Sequence, residues 1–434
     1  MKNIVYVLFF ILPYHMIPLF NIGNFSVKLM DVITICIAYV GLLLFLYKKF
    51  KFKFNIIDYG IIFYVAYSIV NIFIANSKLD SVADFYRLVV SIIAYSIISV
   101  YYKNISLEKY KEVFIKCCKI WVVNSLILTG YSVMIFLKYG LNELRGLGVL
   151  AINSFNVRFS GLHPDPNLFA MYLVIAFTIV VELYRINEIK KSYFRFSMII
   201  ITLSIIFTFS RSGILMFLIY LLFMIGKGKK GIILKSKIFV TFICLFAIVY
   251  VANPFSFRYF VQNRFLNTIT QSNYNNDIAI NSRELYYNIA KEEFKSSPLL
   301  GVGRGNYLDS AQKMYYDIDQ GANPQSLIYQ LLSEMGIVGI VVFMGMYFIL
   351  ILYMYKLKKF KNTKISFITN LNFNILILYF MGALFGSFDS TKELWYIFAM
   401  ANSVIYQFKC NLEKSEIEES KKIMRYKKLK IIWK

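Results

Sequence analysis

The sequence predicts an all-α polytopic membrane protein of about 12 transmembrane helices with one large, partly helical external loop. Composition and the placement of charge carry that prediction. The chain is 58% hydrophobic and 17% charged, with a mean hydropathy of +0.58, whereas soluble domains average about 45–50% apolar and about 25% charged. Apolar runs near the ~20 residues that cross a bilayer recur along almost the whole length. A formal charge of +24 would suggest nucleic acid in a soluble protein. Here Lys and Arg cluster in short segments between apolar runs, a topology signal whose natural neighbours are anionic headgroups, so no nucleic-acid partner is expected.

The first run, "MKNIVYVLFFILPYHMIPLF", has no small-residue cleavage site after it and reads as a span over 4–22, not as a leader. Further spans are expected at 29–47, 56–76, 87–102, 115–137, 167–184, 194–209, 212–226, 237–252, 326–355, 366–387 and 394–408. The joints 48–54, 103–116, 185–191, 227–237 and 356–364 are basic, as is the tail 409–434. The positive-inside rule puts them, with both termini, in the cytoplasm. The opposite side receives 77–86, 138–166, 253–325 and 388–393. The chain thus divides into nine spans over 1–252 (with the external loop 138–166), a large external loop over 253–325, three spans over 326–408 and the basic tail. No internal repeat of the kind that marks secondary transporters is visible.

The large loop is charge-balanced. Arg258, Arg264, Arg283, Lys291, Lys295, Arg304 and Lys313 face Asp277, Glu284, Glu292, Glu293, Asp309, Asp317 and Asp319. Asn281 with Glu284 three residues on resembles a capping box. Tyr286, Ile289, Ala290 and Phe294 then share one helical face, and Pro298 ends the run. This predicts a helix lying on the outer membrane surface with its aromatic face down. "SSPLLGVGRGNY" (296–307) follows. Its Gly301, Gly303 and Gly305, with Arg304, form the kind of loop that cradles an anion. The GxGxG spacing and the missing Gly-Lys-Ser/Thr exclude a nucleotide P-loop and a dinucleotide fingerprint. The same glycines also read as positions that permit positive φ where the chain turns back to the membrane.

Cys36, Cys117, Cys118, Cys244 and Cys410 lie in apolar runs or basic loops, so neither a disulfide nor a metal site is expected. His15 reads as an interior histidine of the first span. Among the charged residues, Arg211 in "FSRSG" sits at a hairpin too tight for a real loop. At mid-bilayer it would cost roughly 2.5–3.5 kcal/mol, and its planar fork suits two adjacent anionic groups. Snorkelling to headgroups is the bland alternative. Arg283 opens the amphipathic helix, where pairing with Glu284 or Glu293 competes with an anion-binding role. Arg158 and Arg304 are weaker candidates. His163 and Asp165 in "GLHPDPN" offer acid–base chemistry, although the motif is also a good turn and cap before the next span. Asp389 and Glu393 are further carboxylates of the last outer loop.

Four segments in order, "RFSGLHPDPNLFAMYL" (158–173), "FTFSRSGILMFL" (207–218), "SRELYYNIAKEEFKSSPLLGVGRGNY" (282–307) and "NPQSLIYQLLSEMGIVGIVVF" (323–343), resemble the family of O-antigen ligases and polysaccharide polymerases. They cover about a fifth of the chain. The resemblance implies a glycosyltransferase of the bacterial cytoplasmic membrane that takes a glycan from undecaprenyl pyrophosphate at the outer face, without metal, nucleotide sugar or other cofactor. Chain-length regulators and flippases are implied partners, beside membrane lipids. The family has an arginine at the position of Arg283. Many members carry a histidine eleven residues before the glycine of the E-x-G-I-x-G element, where this chain has Gln325, between Asn323-Pro324 and Ser326. A glutamine orients a hydroxyl but cannot take its proton, so a base must come from elsewhere, with His163 and Asp165 in reach by sequence.

The catalytic set expected is therefore Arg211, Arg283, His163, Asp165 and Gln325. Arg158, Arg304, Gly301, Gly303, Gly305, Asn323 and Ser326 are expected to bind substrate. Outer aromatics (Tyr286, Tyr287, Tyr307, Tyr315, Tyr316) are candidates for stacking on sugars. A polymerase is favoured over a ligase because the family histidine is replaced. A lipid-linked oligosaccharide flippase is the reading from a different class.

Overall fold

The computed structural model describes residues 1–14, 17–22, 25–47, 50–139, 149–151, 157–224, 229–254, 257–262, 278–314, 323–358, 366–386 and 391–410. His15, Tyr315, Tyr316, Asp389 and the tail 411–434 lie outside them.

Seven described helices are long and apolar enough to cross a membrane. They are α3 (Ile56–Ile74), α4 (Lys78–Lys103), α5 (Leu107–Tyr139), α6 (Pro166–Arg185), α9 (Lys229–Ala252), α13 (Leu327–Lys358) and α14 (Ser366–Ala383). Around them stand α1 (Lys2–Ile11), α2 (Leu29–Tyr47), α7 (Lys191–Phe207), α8 (Arg211–Ile219) with a π-helical extension (Tyr220–Met224), and α15 over 392–410. Packing sorts them by role. The apolar window of α6 is 83% buried, whereas that of α9 is only 11% buried. A helix apolar all round belongs either inside a bundle or against lipid, and these two show one case each. At one end of the bundle a buried pair, Lys103–Asp58 at 2.5 Å, fastens α4 to α3, with Asn402 of α15 donating to Asp58 at 3.0 Å.

Three sequence expectations give way. The first span does not run over 4–22. Pro13 and Pro18 cannot continue a helix, so α1 stops at Ile11 and the chain forms a hairpin, β1 (Pro18–Ile22) against β2 (Phe25–Lys28), with Ile22 opposite Phe25. A second short hairpin joins β3 (Val149–Ala151) and β4 (Val157–Phe159). In the large loop, after the short α10 (Phe257–Val261), helix α11 (Ile278–Ser296) begins three residues before Asn281, so Asn281 lies inside the helix and not at its N-terminal boundary. Nor does the apolar face of α11 point at lipid. Ile289 and Ala290 are buried against Tyr307 and Ala311 of α12 (Tyr307–Met314), with Tyr286 and Tyr329 packed around them. Tyr287 stacks on Tyr329 of α13 at 4.3 Å. The helix is docked on protein.

The glycine loop explains how. Helix α13 is broken at Gly336, whose φ of 61° leaves helical space. A break at membrane depth survives only where protein re-satisfies the freed backbone groups. Residues 298–303 do this: Ile337 N–H donates to the Pro298 carbonyl at 2.9 Å, Val302 N–H to Ser333 at 2.9 Å and Gly303 N–H to Glu334 at 3.1 Å. A Cβ on Gly301 would lie 2.3 Å from the Glu334 carbonyl carbon, and one on Gly336 would lie 2.5 Å from that of Leu299. Glycine is required there for contact of backbone with backbone.

Candidate functional site

One polar cavity of about 590 Å³ lies where helices begin. Its walls hold Lys28 and Asp31 at the start of α2, Asp165, Asn167 and Leu168 at the start of α6, Gln325 and Gln330 at the start of α13, and Thr391, Lys392 and Glu393 at the start of α15. Asp84 and Arg87 come from the second and third turns of α4, and Phe385 and Gly386 follow α14. Helix N-termini present unpaired N–H groups and a positive dipole end. Four of them meet around one cavity, and Asp31, Asp165 and Glu393 stand at three of these starts.

The two sides of the cavity differ. On one, Asp165 caps α6 by accepting from the Asn167 N–H at 2.5 Å, and Pro166 takes the first helical position, where its missing N–H costs nothing. The buried His163 ring lies against Phe169 and Tyr172, with centroids 5.4 and 5.1 Å away, and its Nε2 is 3.4 Å from the Glu393 carboxylate. Gln325 stands beside it in a left-handed conformation, φ 46°, with its N–H bonded to the Asn323 side chain at 2.9 Å. A non-glycine residue held there is strained and persists because its surroundings fix it. Arg283 Nε supplies one such restraint, donating to Gln325 Oε1 at 2.8 Å.

The other side is ionic. Lys392 pairs with Asp31, and Arg87 lies 3.8 Å from Asp84. Lys28 is half-buried. Burial first, then the neighbouring Arg87 and Lys392, hold its ammonium below the ordinary lysine range.

The structure thus gathers His163, Asp165, Asn323 and Gln325 on one cavity, with Arg283 reaching it through Gln325. The other expected residues lie elsewhere. Arg304 is fully buried, its Nε 2.8 Å from Asp84 and its Nη1 donating to the Tyr64 hydroxyl at 3.1 Å. It braces the glycine loop onto α3 and α4. Gly301, Gly303 and Gly305 have φ of 74°, 106° and 71° and abut Glu334, Ala75 and Asp80 backbone, which accounts for glycine at all three by conformation and packing. Arg158 is buried, donating to the Thr208 carbonyl at 2.8 Å and to Asn167 Oδ1 at 3.2 Å, which ties β4 to the corner before α8. Arg211 opens α8 behind Ser210, whose hydroxyl donates to Asn167 at 2.8 Å. Neither Arg211 nor the buried Ser326 is among the cavity-lining residues. Tyr307 is buried, its hydroxyl bonded to the Tyr286 carbonyl at 3.0 Å.

Lys28, Asp31, Asp84, Arg87 and Lys392 were not singled out by sequence reasoning. A signal existed: Asp80, Asp84 and Arg87 follow the spacing of one helical face, and Asp31 is a carboxylate within an apolar span, where charge marks function by default.

The class these features define is a multi-pass α-helical membrane protein with one large polar cavity at a ring of helix N-termini. Residues 196–344, roughly a third of the chain, match the family described as O-antigen ligase. The matched stretch runs from α7 to α13 and includes Arg211, Arg283, the glycine loop, Gln325 and the break at Gly336. No curated protein matches the chain.

Proposed function

We propose that the chain is a polysaccharide polymerase of the bacterial cytoplasmic membrane, moving a glycan from undecaprenyl pyrophosphate onto a second lipid-linked repeat unit. The observation that carries this reading is the cavity at four helix N-termini, lined by lysine, arginine, amide, imidazole and carboxylate groups. Each of α2, α4, α6, α13 and α15 runs from it towards a basic segment at its other end. Under the positive-inside rule the cavity then faces away from the cytoplasm, where lipid pyrophosphates are presented and nucleotides are scarce.

In the reaction, an acceptor hydroxyl attacks the anomeric carbon of the donor sugar. The bond from that carbon to the phosphate oxygen breaks, its electron pair leaves with the pyrophosphate, and the hydroxyl proton passes to His163, oriented by Glu393. Gln325, held by Arg283, positions the acceptor, and Arg211 supports the amide side through its neighbour Ser210. Stabilising the leaving charge is the largest service such a site can render. Transfer to a different surface acceptor, as in a ligase, uses the same steps. Polymerase is preferred because Gln325 stands where a histidine would otherwise act as base.

Purified protein in nanodiscs, given lipid-linked repeat units, should produce a ladder of longer glycans, and His163→Gln should lose it. A protein that moves the lipid across the bilayer but lengthens nothing refutes the proposal in favour of a flippase.

A further inference from the structure

We propose that a groove at the far end of the bundle from the polar cavity holds one anionic phospholipid. Its acyl chain lies between α3 and α4, and its phosphate meets Lys53 and Lys103. The groove has a volume of about 280 Å³. Ile61 and Val65 of α3 and Ile92 and Val100 of α4 form its apolar walls. Val65, Ile92 and Val100 are half-buried and Ile62 on the rim is exposed, so the groove opens on the flank of the bundle, where lipid stands. The space is too small for a whole lipid and suits a length of one chain. This end carries the basic joints 48–54 and 103–116, which the positive-inside rule assigns to the cytoplasmic leaflet.

The mouth of the groove is built. Residues 51–53 are tied to the end of α4 by reciprocal bonds. Lys51 N–H donates to Asn104 Oδ1 at 3.2 Å, and Asn104 Nδ2 donates back to the Lys51 carbonyl at 2.8 Å. Lys53 Nζ donates to the Lys103 carbonyl at 2.9 Å, and Lys103 Nζ to the Lys53 carbonyl at 3.1 Å. The Lys53 ammonium also lies 5.0 Å from the centre of the Tyr406 ring. So fixed, Phe52 and Phe54 are exposed side by side, their rings stacked at 6.0 Å. Phenylalanines exposed next to lysines fit the boundary between headgroups and acyl chains.

Charge selects an anionic headgroup. Three charged side chains line the groove: Lys53, Lys103 and Asp58. Asp58 is satisfied within the protein, pairing with Lys103 at 2.5 Å and accepting from Tyr95 and Asn402 at 2.7 and 3.0 Å. One positive charge is left over, and the exposed Lys51 adds another beside it. A phosphatidylglycerol carries one negative charge. Lys103 is buried, and of its three N–H donors two are taken, by Asp58 and by the Lys53 carbonyl. A phosphate or ester oxygen of the lipid takes the third.

The test uses the full chain in mild detergent, with phosphatidylglycerol and phosphatidylcholine added in equal amounts, and native mass spectrometry to count bound lipid. Wild type should retain one phosphatidylglycerol, about fivefold or more in preference to phosphatidylcholine, and Lys53→Gln should lose about fivefold in that preference. Ser96, whose hydroxyl bonds to the Ile92 carbonyl of its own helix at 2.8 Å, lines the groove. Ser96→Phe fills it and should reduce retention at least tenfold. Lys291→Gln, at the other end of the bundle, should bind as wild type. Should Ser96→Phe fail to fold, Val65→Phe fills the groove from α3. Equal retention of the two lipids by wild type overturns the proposal. So does unchanged retention in the groove-filling variant, which would leave only attraction of headgroups to a basic surface.

Discussion

Replacing Glu293 by Gln should remove a pH dependence from the docking of α11. Glu293 is fully buried against α13, with the Ser333 side chain and the Glu334 carboxylate beside it. Burial, and after it the Glu334 carboxylate nearby, raises its pKa from the ordinary 4.5 to about 9. Between those values the docked helix holds a proton that the undocked helix has released. Docking is therefore strongest below the undocked pKa and weakens as pH rises, until the docked carboxyl ionises too, near pH 9. Each unit in that window is worth at most about 1.4 kcal/mol, so on the order of 2 kcal/mol is lost between about pH 6 and about pH 8. Hydrogen exchange of the amides of α11, divided by their intrinsic rates, reads this directly. Protection in wild type should fall roughly tenfold or more over that range, and in Glu293→Gln it should stay level. Because α11 carries Arg283, glycan lengthening should decline over the same range in wild type. Parallel slopes in the two proteins would refute the reasoning, since the carboxyl would then be ionised in the docked helix.

Two further outcomes follow from the site. Arg304→Met removes the closer partner of the buried Asp84, leaving only Arg87 at 3.8 Å, and should cost up to about 3–5 kcal/mol of stability, seen as a large drop in melting temperature in detergent; a variant of undiminished stability with weakened pyrophosphate binding would instead return Arg304 to direct substrate contact. Gln325→Ala and Arg283→Ala should each slow glycan lengthening about ten- to hundredfold, the worth of one charge-assisted hydrogen bond, while the double variant is no slower than the worse single one; additive losses would mean that the two act separately.

The helical bundle was legible because hydropathy reports the bilayer, and the bilayer leaves a chain few options. What the pattern could not show is how apolar residues are shared between lipid and protein. The face of Ile289 and Ala290 looks alike whether it meets acyl chains or Tyr307, and only packing reveals that it is protein. The first span differs for a local reason: Pro13 and Pro18 end the helix although the residues around them are as apolar as those of a span. At the site, the motif-bearing His163, Asp165, Asn323 and Gln325 could be found because each sits in a short stretch that is odd for a membrane protein. The ionic wall could not. Asp31 and Lys392 are 361 residues apart, and nothing local to either names the other.

The glycine loop shows why a motif can be placed near a site and still be misread. Its anion-like look comes from three positive-φ glycines and an arginine, features that a phosphate cradle shares with a backbone plug. Here the backbone N–H groups of Val302 and Gly303 are spent on the broken α13, at 2.9 and 3.1 Å, so no phosphate oxygen is left for them. Arg304 nonetheless bears on the site's charge. By pairing with Asp84 from behind, it takes up a carboxylate that would otherwise face Arg87 and Lys28 alone. The loop thus closes the break that bends α13 and sets a buried arginine against a carboxylate of the cavity wall.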